Sequence, residues 1–305
     1  TIAALIRFHP HDPAAQLVER VEPLPWLSLH LGIDGLGVLF LPLTALLTLL
    51  ILLYAQTIRR ERPGVLVAGI LAQEAALMGM FTALNLMQFW LFALAEVIPV
   101  AFLVWRWGTS PVRGRAAWRL VRDLLSGLAA LLAGILLLGW NHAAATGGGW
   151  SFDLSALLAT PASLGLQSLI FVLLFGGLAV RLALFPFHAW FPVVAQHGTV
   201  AVGLALLAGV KVGVYALLRF VFPLLPAATQ QWAGAVIVLG LAGMGYGALL
   251  ALMQKDLRRL LAFAVVSHTG ALMVGLFALN LPGMQGGLLL SLNLLHANLC
   301  AASSF

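Results

Sequence analysis

Residues 202–218 read VGLALLAGVKVGVYALL, an apolar run that holds a single charged residue, Lys211. Residues 89–105 have the same character, because FWLFALAEVIPVAFLVW contains Glu96 as its one charged residue. A helix needs roughly 20 apolar residues to cross the hydrocarbon core of a bilayer. Both stretches are therefore predicted to be membrane-spanning helices, each with one ionisable side chain far from its ends.

Apolar runs of this length recur along the whole chain. We predict eight spans, at about 35–57, 65–84, 86–106, 124–141, 165–185, 200–222, 232–253 and 259–280, and a ninth that begins near 285. The fold class is therefore all-α, a polytopic integral membrane protein with about nine transmembrane helices. Gly209 and Gly213 flank Lys211 and predict a discontinuous helix there, since mid-membrane breaks expose backbone to an ion path.

Composition excludes the other broad classes of protein. The 305 residues are 62% hydrophobic and 9% charged, whereas soluble domains are about 45–50% apolar and about 25% charged. The net charge of +6 does not indicate a nucleic-acid partner, because the basic residues lie in short loops between apolar runs. The single cysteine, Cys300, excludes a disulfide framework and a cysteine-ligated metal site.

The loops predict the orientation of the chain. Eleven of the 16 Lys and Arg residues lie in or beside the loops at 58–64, 107–123 and 254–258, whereas the loops on the other side hold none. Basic loops stay on the cytoplasmic side. Residues 1–34 are therefore predicted to form an extracytoplasmic segment, with 9–30 extended at the surface, and residues 35–305 a transmembrane domain that is incomplete at both ends.

Ionisable groups inside the spans are the candidate functional residues, because charge at mid-membrane is costly and by default marks function. Glu96, Lys211 and Arg181 are charged candidates, and the histidines near apolar runs are able to relay protons near neutral pH. Structural alternatives stay open for each. Arg181 could snorkel to the interface, Glu96 could form a structural ion pair, and a lone histidine could bond a neighbouring helix.

Five segments carry a family resemblance. They are HLGIDGLGVLFLPLTALLTLL at 30–50, MGMFTALNLMQFWLFALAEVIPVAFLVWRWG at 78–108, PFHAWFP at 186–192, LLAGVKVGVYALLRFVFPLLP at 206–226 and YGALLALMQKDLRRLLAFAVVSHTG at 246–270. In order and spacing they resemble the antiporter-like subunits of respiratory complex I, of the chain M or subunit 4 type. Pro186 and Pro192 also predict a broken or interfacial segment between them.

The resemblance implies a fold of about 14 helices, of which this chain is a part, and a proton pathway. The residues that match the pathway of the family are Glu96, Arg181, Lys211, His188, His268 and His296. Two departures bear on the chemistry. Arg181 stands where the family has the lysine that pairs with the glutamate, and Asn85 stands where the family usually has aspartate.

The expected function is that of a proton-translocating membrane subunit of an NADH–quinone oxidoreductase. The resemblance implies no cofactor in this chain, with NADH, flavin mononucleotide, iron–sulfur clusters and quinone in partner subunits. The expected partners are other membrane-arm and hydrophilic subunits, the lipid bilayer and protons. The expected location is a bacterial inner membrane.

Three alternatives remain open. The same fold could serve a Mrp-type sodium/proton antiporter, a membrane-bound hydrogenase or a proton-coupled bicarbonate or CO2 uptake complex. A b-type haem carrier would need two facing histidines, for which His268 and His296 are available. A structural membrane arm with a decayed channel is the third.

Overall fold

The computed structural model describes residues 8–9, 15–24, 27–57, 63–198, 209 and 211–303. Two antiparallel strands come first, β1 at Gln16–Leu24 and β2 at Leu27–Ile33. The predicted extended segment therefore forms a hairpin. It is attached to the helical part of the fold through His30, whose carbonyl accepts a hydrogen bond of 2.9 Å from the Leu84 N–H.

Eleven helices follow in the described part of the chain. They are α1 (Gly37–Thr57), α2 (Pro63–Thr82), α3 (Leu86–Trp107), α4 (Arg113–Thr146), α5 (Leu154–Leu158), α6 (Leu164–Arg181), α7 (Trp190–His197), α8 (211–224), α9 (Pro226–Leu252), α10 (Leu257–Phe277) and α11 (Leu281–Ser303). Within α8, Leu217–Val221 form a π-helical turn. Six of these helices, α2, α3, α4, α6, α9 and α10, are long and apolar enough to cross a membrane.

The chain is thus a multi-pass membrane protein, and every predicted span whose residues are described lies on a helix. Residues 200–208 and 210 of the predicted span at 200–222 lie outside the described residues, and so does the predicted discontinuity before Lys211. Apolar side chains face outward from the bundle. Ile98 on α3, for example, is 73% exposed, as a side chain that faces lipid or a neighbouring apolar surface would be.

Helix α4 differs from its prediction. The sequence predicts a span at 124–141 after an arginine-rich loop at 107–123, but the helix begins at Arg113 and runs for 34 residues. At 1.5 Å per residue this is about 51 Å, well beyond the roughly 30 Å of a hydrocarbon core. The arginine-rich stretch is therefore largely helical, and its charges end the apolar run without ending the helix.

Two of the loops predicted to be cytoplasmic, at 107–123 and 254–258, meet the end of α7 at one end of the bundle. The Thr109 N–H donates to the His197 carbonyl at 3.0 Å. Arg258 Nη1 donates to the Gly198 carbonyl at 3.0 Å and to Thr109 Oγ1 at 3.3 Å. This arrangement fits alternating spans, whereas the side of the membrane on which this end lies stays a prediction.

Close backbone approach holds helices α4 and α6 together. A Cβ added at Gly177 would lie 2.5 Å from the Gly127 carbonyl oxygen and 3.0 Å from the Leu131 backbone nitrogen. Small residues at such crossings let membrane helices pack by van der Waals contact. The α4–α6 contact matters for the site because α6 carries Arg181 at its last residue.

Gly177→Ala is expected to destabilise the protein by roughly 1–3 kcal/mol, because the new methyl group meets backbone that is unable to rotate away. Gly176→Ala is the matched control, since no described atom lies within 4 Å of a Cβ at that neighbouring position. Thermal unfolding of the purified assembly measures both variants. Equal midpoints for the two would contradict the packing described for this crossing.

Candidate functional site

Helix α3 places Glu96 at the middle of a span. The helix begins after Asn85, whose side-chain Oδ1 accepts hydrogen bonds from the N–H groups of Met87 at 2.9 Å and Gln88 at 3.2 Å. Such a cap satisfies amide groups that lack partners in the first turn. Glu96 is the eleventh of 22 residues and is 4% exposed. A carboxylate in this position needs a partner within the protein.

Arg181 is that partner. It is the last residue of α6, and its Nη2 donates a hydrogen bond to Glu96 Oε2 in a buried ion pair. Arg181 is only 7% exposed, so it does not snorkel to the interface. The structure therefore brings Glu96 and Arg181 together in the way that the resemblance implies.

Helix α6 ends at Arg181, and the chain leaves the helical conformation there. Residues 182–189 form turns that contain a cis peptide bond between Phe185 and Pro186, and α7 then runs to the end of the bundle where His197 contacts Thr109. The Trp190 ring nitrogen donates to the Val180 carbonyl at 2.9 Å and thereby ties α7 to the end of α6. The predicted broken segment between the two prolines is present.

His188 lies in this break and is buried among aromatic rings. Its ring centroid is 5.7 Å from that of Phe185, 5.1 Å from that of Tyr246 and 6.4 Å from that of Phe263. His188 Nδ1 has no hydrogen-bond partner among the described residues. Along the chain, His188 follows Arg181 of the buried ion pair and precedes α7, which ends at His197.

Lys211 is buried on α8, two residues after Gly209. It is 3% exposed, and its Nζ has no hydrogen-bond partner among the described residues. Two residues earlier, a Cβ added at Gly209 would lie 3.3 Å from Glu96 Oε1 and 3.8 Å from Arg181 Nη2. Glycine at 209 therefore lets the backbone that leads into Lys211 pack against the ion pair.

The other two predicted histidines lie on the last two helices, α10 and α11. His268 is exposed on α10, and its Nδ1 hydrogen-bonds to the Ala264 carbonyl of the same helix at 2.7 Å. His296 lies on α11, and its side chain is outside the described residues. A role for either histidine in a proton pathway stays a prediction. In the described part of the chain, no three His, Cys, Asp or Glu side chains gather in a metal-binding group.

A polar cluster that sequence reasoning missed joins the hairpin to the bundle. Asn85 Nδ2 donates to Asp153 Oδ1 at 2.8 Å. Arg20 Nη2 is 3.3 Å from Asp153 Oδ2, and His30 Nδ1 is 3.7 Å from Asp153 Oδ1. The departure from aspartate at position 85 was the available signal, because an amide is able to donate a hydrogen bond to a carboxylate whereas a second carboxylate is not.

Asn85→Asp is therefore expected to destabilise the protein by roughly 1–3 kcal/mol, because a donor is lost and two carboxylates face each other. The double variant Asn85→Asp/Asp153→Asn restores one donor and one acceptor and is expected to recover most of that loss. Thermal unfolding of both variants tests this. A single variant as stable as the parent protein would show that the contact contributes little.

The fold and the site define a class of protein. Membrane-spanning helices surround a buried carboxylate–guanidinium pair at mid-span. The helix that carries the arginine, α6, ends at that point, and a buried lysine lies on α8, the second helix after it. Ionisable groups of this kind line ion and proton pathways in membrane transporters.

The chain belongs to the NADH:quinone oxidoreductase/Mrp antiporter transmembrane family, whose model matches residues 83–303. It is 31% identical over 295 residues to NADH-quinone oxidoreductase subunit M of Rickettsia conorii, a match that covers 94% of this chain and 58% of that protein. The chain thus spans little more than half the length of the curated relatives it matches.

Solved structures agree with this assignment. A chain of respiratory complex I from Thermus thermophilus with bound NADH superposes with a TM-score of 0.84 at 31% identity, over 97% of this chain and 62% of that one. A chain of the Mrp complex from Dietzia sp. DQ12-45-1b superposes with a TM-score of 0.83 at 22% identity, over 97% of this chain and 32% of that one. The second match shows the shared fold alone.

Proposed function

We propose that this chain is a proton-translocating membrane subunit of an NADH–quinone oxidoreductase in a bacterial inner membrane. The observation that carries the proposal is the buried Glu96–Arg181 pair, against which the backbone before Lys211 packs. In this proposal residues 1–34 lie on the extracytoplasmic side and residues 35–305 form the transmembrane part. NADH, flavin, iron–sulfur clusters and quinone belong to partner subunits, so that this chain moves protons and performs no redox chemistry.

The proposed roles of the charged residues follow from the chemistry of their side chains. Arginine keeps its proton in proteins, so Arg181 acts as a fixed positive charge that holds the Glu96 carboxylate. A lysine amine is able to lose and regain a proton when its surroundings change, so Lys211 is the proton carrier. His188 passes protons from the arginine-rich end of the bundle toward Lys211, and His268 and His296 continue the pathway.

Proton uptake by vesicles that contain the intact parent assembly tests the function. NADH-driven uptake that collapses in Lys211→Ala and survives in Lys255→Ala would support it, because Lys211 and Lys255 are the two lysines of the chain and Lys255 is exposed. Sodium-dependent exchange without NADH would favour the second candidate, a Mrp-like antiporter. The arginine at position 181, in place of the family's lysine, favours this candidate. Unchanged transport in both assays would leave a structural membrane subunit.

A further inference from the structure

A second ion pair, largely buried, joins Arg219, on the same helix as Lys211, to Asp34. Arg219 Nη1 is 2.7 Å from Asp34 Oδ2, and the two side chains are 19% and 11% exposed. The other oxygen, Asp34 Oδ1, accepts a hydrogen bond of 2.7 Å from the Gly37 N–H and so caps α1. Asp34 thus joins the start of α1 to α8 with both of its oxygens engaged.

Aromatic packing reinforces this junction. The Tyr215 ring on α8 meets the rings of Phe40 on α1 and Phe81 on α2 edge-on, with centroid distances of 6.1 Å and 5.3 Å. All three side chains are at most 1% exposed. Because edge-to-face contacts are directional, α8 is held on α1 and α2 in one orientation.

Lys211, Tyr215 and Arg219 recur at intervals of four residues, which brings them toward one side of α8. Arg219 lies in the π-helical turn, and such turns often occur at functional sites. About 12 Å of helix separates Arg219 from Lys211 at 1.5 Å per residue. A helix of this length transmits a displacement at one end to the other.

The opposite end of α8 packs on the ion pair and on the break after α6. A Cβ added at Gly213 would lie 2.5 Å from Leu182 Cγ, the first residue after Arg181. The helix therefore has two anchors with Lys211 close to one of them, and any loss of the Asp34–Arg219 anchor lets the lysine shift relative to Glu96.

We propose that Asp34 and Arg219 are positioning residues that hold α8 so that Lys211 stays at its working depth beside the Glu96–Arg181 pair. The proposal rests on the proposed function for the role of Lys211. It goes beyond that function because the Asp34–Arg219 ion pair, which is outside the pathway, would control the position of the Lys211 amine.

A disulfide cross-link measures the position of α8 without any transport assay. Cysteines at Leu182 and Gly213, introduced after Cys300→Ser, lie within disulfide reach because a Cβ at 213 approaches the Leu182 side chain. Asp34→Asn keeps an oxygen for the Gly37 N–H and loses the charge, and it is expected to slow cross-linking about tenfold in membranes with the full-length assembly. Asp123→Asn, which breaks the exposed pair with Arg122, is the matched control.

The pH profile of proton uptake distinguishes positioning from mere stabilisation. Asp34→Asn and Arg219→Gln are expected to displace the pH at which uptake per assembled complex is half-maximal, and Arg219→Lys to restore the profile. A wild-type cross-linking rate in Asp34→Asn, or slow cross-linking with an unchanged pH profile, overturns the proposal. If Lys211→Ala transports normally, the proposed function fails, and the cross-linking rate alone decides whether the ion pair holds α8.

Discussion

Arg181→Met is expected to lower the stability of the protein by roughly 3–5 kcal/mol, because it leaves the Glu96 carboxylate buried without its cation. The carboxylate accepts its ion-pair hydrogen bond from Arg181, and both side chains are at least nine-tenths buried. The loss is therefore far larger than the removal of a surface charge would produce.

The double variant Glu96→Gln/Arg181→Met removes both charges together and is expected to recover much of the lost stability, since no isolated charge remains in the core. Thermal unfolding of the purified assembly, read as a double-mutant cycle, isolates the interaction between the two residues. Arg122→Met is the control, because Arg122 is exposed on α4 and its partner Asp123 is only partly buried. Additive losses from the two site substitutions would show that the groups do not interact.

Much of the fold was readable from the sequence because membrane spans are set by a long apolar run and little else. The start of α4 could not be predicted in this way. Arg113, Arg115, Arg119 and Arg122 lower the local hydropathy and imitate a loop, although arginine is a good helix former. Hydropathy predicts which part of a helix is inside the bilayer. It does not predict how many helical turns continue outside the bilayer.

The site divides in the same way. Glu96 and Lys211 could be predicted as candidates because each is a charge in an apolar run. The pairing of Glu96 with Arg181 was implied by the family resemblance alone, and it is the structure that shows their contact. Asp34 and Arg219 each lie within a recognisable segment, but their contact joins distant parts of the sequence. His268 lies on a helix whose apolar residues are not confined to one face, so its exposed position could not be predicted from a periodicity.

Lys211→Arg is expected to reduce NADH-driven proton uptake per assembled complex at least about tenfold, as strongly as Lys211→Ala. Arginine keeps its proton in proteins, so the variant side chain has almost no deprotonated form at pH 7. The substitution keeps the positive charge and a long side chain on α8. It therefore removes the release of a proton while it leaves the charge in place.

Lys255→Arg is the matched control, because that lysine is exposed between α9 and α10. Uptake by Lys255→Arg is expected to equal that of the parent assembly, measured in the same vesicles and normalised to assembled complex. Arg181 already shows that this fold accommodates a guanidinium beside Glu96. If Lys211→Arg were to keep full uptake, the residue would act through its charge alone, and the proton would have to pass along water or through another group.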